Sequence, residues 1–237
     1  LYYAFAVVAP AMARQPGWGV TAVSGAFSVG LLVSGLSARA VAAMLSRLGP
    51  RVTMTAGSLL AIVATMLWAS ASSVAMLYAA WALIGAAMAA TLYEPAIVVL
   101  ALLDSGRIRR TITVVTVAGG LASTVFVPLT QYLVEILDWR AAVAIVGGCG
   151  GAATAALHAR CLPRHVRTQR SSPTSPRPLT PSRPMRGLRL AYMLEQASAV
   201  AATALVVTML IDRDVQPEVA GFVLASSGVG KVAGRQV

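Results

Sequence analysis

Two basic residues near the end of the chain have the spacing of a binding site for an anion. Lys231 and Arg235 are four residues apart in an apolar stretch, so they share one face if the stretch is helical. Like charges at this spacing repel unless an anion or an acid lies between them. A guanidinium group suits a carboxylate because it donates two parallel hydrogen bonds. We therefore expect Arg235, with Lys231, to bind an anionic ligand. In the alternative, Lys231 pairs with an acidic residue beyond Val237.

A second pair of opposite charges also stands in apolar stretches. Arg39 precedes Arg47 by two helical turns, and Glu94 precedes Leu103 by slightly more, so both lie roughly 12 Å from a polar edge at the helical rise. A lone charge in hydrocarbon costs at least about 2.5 kcal/mol. We therefore expect Arg39 and Glu94 to form a buried ion pair. The competing interpretation is that Glu94 binds and releases a proton.

No arrangement of side chains indicates catalysis, a cofactor or a metal site. His158 and His165 have no carboxylate at ligand spacing, and the chain contains no His-Glu-x-x-His or Gly-x-Ser-x-Gly motif. Cys149 and Cys161 lack a partner at metal-ligand or Cys-x-x-Cys spacing. We expect a protein that is not an enzyme, in which both cysteines are small buried thiols.

The composition requires a lipid environment for the elements that position these residues. The chain is 57% hydrophobic and 11% charged, whereas a soluble domain carries about 25% charged residues. A net charge of +11 on a soluble chain would suggest nucleic acid. Here the basic residues cluster between apolar runs, as in membrane proteins, so we expect membrane lipid and no nucleic acid as partner. The many arginines and alanines suggest a bacterial source.

Eight apolar segments are candidates for membrane-spanning helices, each of which needs about 20 residues. They cover residues 1–13, 20–45, 52–71, 74–103, 111–137, 141–162, 188–211 and 217–237. The first is short and the last continues to the end of the chain. We therefore expect both termini to fall inside helices of a longer protein, with the first and the eighth helix truncated.

Basic residues are concentrated in every second connection between these segments. These connections contain Arg47, Arg51, Arg107, Arg109, Arg110, Arg160, Arg164, Arg167, Arg170, Arg177, Arg183, Arg186 and Arg189. The other connections carry only Arg14, Arg140 and Arg213, the last two beside aspartates. The positive-inside rule therefore places the arginine-rich connections and the N-terminus in the cytoplasm, in a multi-pass protein of the inner (cytoplasmic) cell membrane.

The polar stretch 163–187 divides the chain. It holds six of the twelve prolines, six arginines and no acidic residue. Such a segment buries too little apolar surface to fold, so we expect a disordered or polyproline-like cytoplasmic linker between helical bundles. In the alternative, it contacts anionic lipid or nucleic acid.

A weak repeat spans this linker. Residues 25–41 and 221–237 share four identities at a shift of 196, and both follow a short polar loop. Two parallel halves related in this way are typical of one class of membrane transporter fold.

Several further residues predict details of helix packing. Pro95 and Pro128 indicate kinks, and Trp18, Trp68 and Trp139 suit an interfacial aromatic belt. Glycines predict close contacts between helices. These are Gly85, Gly147, Gly148, Gly150 and Gly151.

Residues 42–51 resemble the signature loop of major facilitator transporters, between their second and third helices. Arg47, Gly49 and Arg51 match the motif, while Ala42 and Ser46 replace its glycine and its acid. The resemblance implies an all-α membrane protein with a complete N-terminal six-helix bundle (1–162), the linker (163–187) and the first two helices of a C-terminal bundle (188–237). It also implies a gating role for the loop.

Within the superfamily the chain partly resembles the monocarboxylate and oxalate/formate carriers. Tyr3-Ala4-Phe5 resembles their first helix, Gly119-Gly120 to Pro128-Leu129 their fifth, and Asp138-Trp139-Arg140 the start of their sixth. Arg235 falls on the arginine that holds the substrate carboxylate, but Lys231 replaces an aspartate and Val7 a lysine.

This resemblance implies a monomeric secondary transporter of a small solute, such as an organic anion, moved by alternating access, with or without H⁺. It places Tyr3, Tyr192 and Glu195 near the substrate, although Glu195 could instead extend to the membrane interface. The alternatives are a receptor or scaffold without transport, or an inactive fragment of a transporter.

Overall fold

The computed structural model describes residues 2–103 and 108–164, with the single helical positions Gly187, Leu190, Ala191, Leu194 and Ser198. The two continuous ranges are helical and contain no strand. Their helices are α1 (Tyr2–Ala13), α2 (Val20–Ala69), α3 (Val74–Thr91), α4 (Tyr93–Leu103), α5 (Ile108–Ile136) and α6 (Trp139–Cys161). The predicted segments beyond residue 164 lie outside these ranges.

Helix α2 reverses direction at Gly49. It has 50 residues, about 75 Å at the helical rise and more than twice the thickness of a hydrocarbon layer. Gly49 leaves the helical conformation with φ 81° and ψ 167°, a region open almost only to glycine. We call residues 20–48 the first arm and residues 50–69 the second arm. Phe27 of the first arm and Trp68 of the second both contact Trp81, at 5.2 Å and 5.0 Å between ring centroids, so the arms lie side by side.

Helix α6 runs antiparallel to the second arm along its whole length. Arg140 at the start of α6 bonds to the carbonyl of Ala69, and Gly147 packs against Thr65. Further along, His158 contacts Ser58. Near the end of α6, Leu162 accepts a hydrogen bond from Arg51. The chain therefore crosses the bundle in alternating directions.

The predicted continuous helix 74–103 is divided into α3 and α4. Leu92 lies between them with an extended backbone, φ −79° and ψ −163°. Pro95 follows three residues later and cannot donate the hydrogen bond that the carbonyl of Thr91 would receive in a continuous helix. The kink predicted at Pro95 is thus a break centred on Leu92, whereas α5 continues through Pro128.

The core differs from the sequence expectation at two kinds of residue. Trp68 is fully buried, and Trp18 and Trp139 are each 6% exposed. The three indoles pack into the protein core instead of forming a lipid-facing belt, because Trp18 and Trp139 contact each other and Trp68 contacts Trp81. Cys149 and Cys161 are both exposed. The prediction of buried thiols was wrong because α6 packs its glycine face inward.

The alternating crossings give the bundle two ends. The Gly49 end contains the turn at Gly49 and residues 162–164; the Arg140 end contains the connections 14–19, 70–73 and 137–138. Within residues 2–103 and 108–164, three helical stretches are long and apolar enough to cross a membrane: Val20–Ala69, Val74–Ala101 and Trp139–Cys161. Arg47, Arg51 and Arg164 lie at the Gly49 end, in agreement with the predicted clustering of basic residues in alternate connections.

Candidate functional site

The structure places the two predicted intramembrane charges on exposed surfaces. Arg39 lies in the first arm, and Glu94 lies in the first turn of α4. In the two ranges that the structure describes, no ion pair joins these side chains. Their pairing stays a prediction.

The position of Glu94 is nevertheless unusual for a carboxylate in an apolar helix. The break at Leu92 creates a helix N-terminus inside the stretch Val74–Ala101. The first N–H groups of a helix lack intrahelical partners, and the helix dipole favours a negative charge there. The break therefore reduces the cost of a charged Glu94 at this depth. Sequence reasoning located Glu94 but treated the helix as continuous.

The loop that resembles a gating motif is ordered by hydrogen bonds from side chains to backbone carbonyls. Arg51 Nε donates to the carbonyl of Leu162 at 2.6 Å, and Thr53 Oγ1 donates to the carbonyl of Gly49 at 2.9 Å. Leu162 follows the last residue of α6, where carbonyl groups lack intrahelical donors and favour a cation. Arg51 therefore joins the turn to the end of α6. Arg47 is exposed.

His158 forms a second contact between α6 and the second arm, which sequence reasoning missed. Its Nδ1 lies 2.9 Å from Ser58 Oγ and 3.2 Å from the carbonyl of Met54. Ser58 is buried, and its hydroxyl donates to the same carbonyl at 3.1 Å. Since that hydroxyl has only one proton, Ser58 Oγ is free to accept, and Nδ1 is the donor in this network. Because Ser58 and His158 are 100 residues apart, no local sequence pattern predicts their contact.

At the opposite end of the bundle, Arg140 bonds to groups from two connections. Its Nη1 donates to the carbonyls of Ala69 and Ala71 at 2.9 and 2.7 Å, and its Nη2 donates to Gln15 Oε1 at 3.3 Å. The guanidinium carbon also lies 4.5 Å from the ring centroid of Trp139. The sequence places Arg140 beside Asp138, but Asp138 caps α6 instead, accepting from the Ala141 N–H at 2.6 Å.

An aromatic cluster joins α1 to both arms and to α3. Phe5 stacks on Phe27 at 4.5 Å and meets Trp81 edge-on at 5.0 Å between ring centroids. The first arm and α3 approach closely beside it, because a Cβ added to Gly85 would overlap the Gly30 carbonyl. The predicted close contact at Gly85 is confirmed.

The glycines of α6 show which of the other predicted contacts exist. A Cβ added to Gly147 would overlap Thr65, and one added to Gly151 would meet Ile62. One added to Gly148 would lie 3.2 Å from Met66 Cε, a flexible end that can move. Gly150 has nothing within 4 Å of such an atom, so no close contact requires it.

Most of the predicted substrate residues lie outside the described residues. Tyr192, Glu195, Lys231 and Arg235 belong to this group. Tyr3 lies in α1, but its side chain is not among those described. The structure thus links Arg51 to Leu162 and Gly49 to Thr53, leaves Arg47 exposed, and the substrate residues stay predictions.

A comparison with protein families agrees with this arrangement of alternating apolar helices. The family model described as Major Facilitator Superfamily matches residues 1–235. The chain belongs to the major facilitator superfamily. It is therefore a multi-pass membrane transporter of small solutes, from a family that is generally not enzymatic. No curated protein and no solved structure matches it.

Proposed function

We propose that this major facilitator protein is a secondary active transporter of a small organic anion, such as a monocarboxylate, which works by alternating access. The observation that carries the proposal is the spacing of Lys231 and Arg235 in an apolar stretch. Two cations on one helical face need an anion or an acid between them. The partial resemblance to monocarboxylate and oxalate/formate carriers supports an organic anion.

The proposed organisation follows the sequence pattern. Residues 1–162 form the N-terminal bundle, 163–187 a cytoplasmic linker and 188–237 the start of the C-terminal bundle, in a monomeric protein of the inner membrane. The N-terminus lies in the cytoplasm, which makes the Gly49 end the cytoplasmic end.

The proposed roles of the residues follow from their chemistry. Arg235 holds the substrate carboxylate with Lys231, while Tyr3, Tyr192 and Glu195 line the cavity. Arg47, Gly49 and Arg51 form the gating loop. The hydrogen bond from Arg51 to the Leu162 carbonyl supports this last role, since it links the loop to the end of α6.

Uptake into proteoliposomes tests the substrate class. Purified protein is reconstituted, and the accumulation of radiolabelled lactate, formate and oxalate is followed with and without a proton gradient. Arg235→Gln should abolish uptake, because the amide keeps a polar group but loses the charge and the paired hydrogen bonds. Arg164→Gln is the matched control, because Arg164 is exposed outside the helices. Unchanged uptake in Arg235→Gln would refute the role of Arg235.

A charge exchange tests the proposed ion pair of Arg39 and Glu94. Arg39→Glu and Glu94→Arg should each reduce the amount of protein in the membrane, and the double exchange should restore it if the two residues pair. If Glu94 instead carries a proton, the double exchange fails to restore expression, and Glu94→Gln abolishes the effect of the proton gradient on uptake.

A further inference from the structure

The hydrogen bonds of Arg140 connect α6 to other elements of the bundle and are not required by α6 itself. Arg140 is the second residue of α6, where the helix dipole disfavours a positive charge. Asp138, the nearest acid in the sequence, is exposed and already caps the helix. The position of Arg140 is therefore explained by its partners on other elements.

Two of those partners stabilise a cation strongly. The carbonyls of Ala69 and Ala71 belong to the last residue of α2 and to the connection that follows. Carbonyls at a helix C-terminus lack intrahelical donors and carry the negative end of the dipole. One guanidinium nitrogen reaches both of them, and the ring of Trp139 lies 4.5 Å from the guanidinium carbon. These contacts fix the guanidinium plane between α2 and α6.

The other terminal nitrogen of the guanidinium, Nη2, bonds to the connection after α1. Nη2 donates to Gln15 Oε1. Gln15 also belongs to the turn that follows α1: its N–H donates to the Met12 carbonyl, and its carbonyl accepts from the Trp18 N–H, both at 3.0 Å. Trp18 packs in turn against Trp139, at 6.2 Å between ring centroids. The end of α1 is thus attached to α6 by one hydrogen bond and one aromatic contact.

We propose that Arg140 is a positioning residue that fixes this end of α1 to α2 and α6 through Gln15. A lysine does not replace it, because its donors share one nitrogen, whereas two separate nitrogens of Arg140 reach the carbonyls of Ala69 and Ala71 and the side chain of Gln15. In a transporter that works by alternating access, which is the function proposed above, α1 then moves together with α2 and α6.

Distances between spin labels test the link without any need for transport. Cys149 and Cys161 are replaced by serine, and label pairs are placed at exposed connections. The pair Pro16–Ser72 reports on α1 against α2, and the pair Ser72–Leu137 reports on α2 against α6. Both pairs should give narrow distance distributions in the parent protein, by double electron–electron resonance in nanodiscs.

Gln15→Leu removes the acceptor while keeping a side chain of similar size. It should widen the Pro16–Ser72 distribution roughly twofold, as a locally released connection would, and leave Ser72–Leu137 narrow. Arg140→Lys should do the same. Arg14→Gln, a change of the exposed neighbour of Gln15, should widen neither distribution.

Two results would overturn the proposal. One is a Pro16–Ser72 distribution in Gln15→Leu that stays as narrow as in the parent. The other is equal widening of both pairs, which would mean general loosening of the bundle. Since the labels report on structure alone, a failure of the proposed anion transport would leave these distances unaffected and would appear only in the uptake assay.

Discussion

The two ends of the bundle both use an arginine to hold helix ends together, but in different ways. At the Gly49 end, Arg51 bonds to one carbonyl, that of Leu162, while His158 and Ser58 make a separate contact further along the same pair of segments. At the Arg140 end, one guanidinium bonds to three acceptors, one at the end of α2 and one in each of two connections. The Gly49 end therefore spreads its polar contacts, and the Arg140 end concentrates them in one side chain.

The comparison also separates two classes of arginine that look alike in the sequence. Arg51 and Arg140 are partly buried and bond to backbone carbonyls, whereas Arg14, Arg47, Arg160 and Arg164 are exposed. Of the exposed group, Arg47, Arg160 and Arg164 lie at or near the Gly49 end, where the sequence concentrates its basic residues, whereas Arg14 lies at the opposite end. The bonded pair has a structural role that charge counting does not reveal.

The largest difference is expected when each guanidinium is removed. Arg140→Gln should lower the free energy of unfolding by about 3 kcal/mol, and Arg51→Gln by about half as much, because hydrogen bonds from charged donors contribute roughly 1.5–3 kcal/mol and Arg140 makes more of them. Thermal unfolding of the purified protein in detergent measures both. Equal losses of unfolding free energy would show that the three hydrogen bonds of Arg140 stabilise the bundle no more than the single hydrogen bond of Arg51.

Among the residues that the structure describes, two glycines have a positive φ, and they sharpen the comparison. Gly49→Ala should cost on the order of 2 kcal/mol, because φ 81° with ψ 167° lies in a region that residues with a Cβ rarely occupy. Gly17→Ala at the other end, with φ 78° but exposed and with nothing near its added Cβ, should cost less. The same unfolding assay compares them. A larger loss for Gly17→Ala would contradict the assignment of Gly49 as the constrained turn.

A smaller effect is expected at the His158 contact. His158→Ala removes both contacts of Nδ1 and should cost about 1 kcal/mol, while Ser58→Ala leaves the contact with the Met54 carbonyl and should cost less. Both variants are measured beside Arg51→Gln. If the combined loss of unfolding free energy with Arg51→Gln is clearly smaller than the sum of the separate losses, the contacts at the Gly49 end act as one unit, like those of Arg140.

The smallest effect belongs to an exposed arginine of α6. Arg160→Gln should change the free energy of unfolding by less than about 0.5 kcal/mol, as surface substitutions usually do. It is a control for Arg140→Gln on the same helix. A loss comparable to that of Arg140→Gln would mean that charge on α6, rather than hydrogen bonding, determines stability.

The sequence predicted the helical segments well because lipid imposes a length and an apolar composition on each of them. The starts predicted at Val20 and Val74 are those of α2 and α3. The break at Leu92 was located only indirectly, through Pro95. The exposure of Cys149 was not predicted, since hydrophobic runs all round a helix do not reveal which face meets lipid.

The candidate site was less predictable, because its contacts join residues far apart in the chain. Gly49 and Arg51 were identified from their motif, but the bond from Arg51 to Leu162 depends on the antiparallel packing of α6 and the second arm. For Arg140, the sequence shows only that Asp138 lies two residues away. The preference of carboxylates for helix N-termini explains why Asp138 caps α6. The partners of Arg140 lie on other elements, so they follow from the packing of the helices and not from the local sequence.

Labelling of single cysteines tests the central claim, a bundle that crosses the membrane with its connections alternating between two sides. On a background without Cys149 and Cys161, exposed positions are changed to cysteine and treated with a membrane-impermeant thiol reagent in intact cells and in inverted vesicles. Positions 16, 72 and 137 should react from one side, and positions 48 and 164 from the opposite side. Reaction of all five positions from the same side would contradict the account.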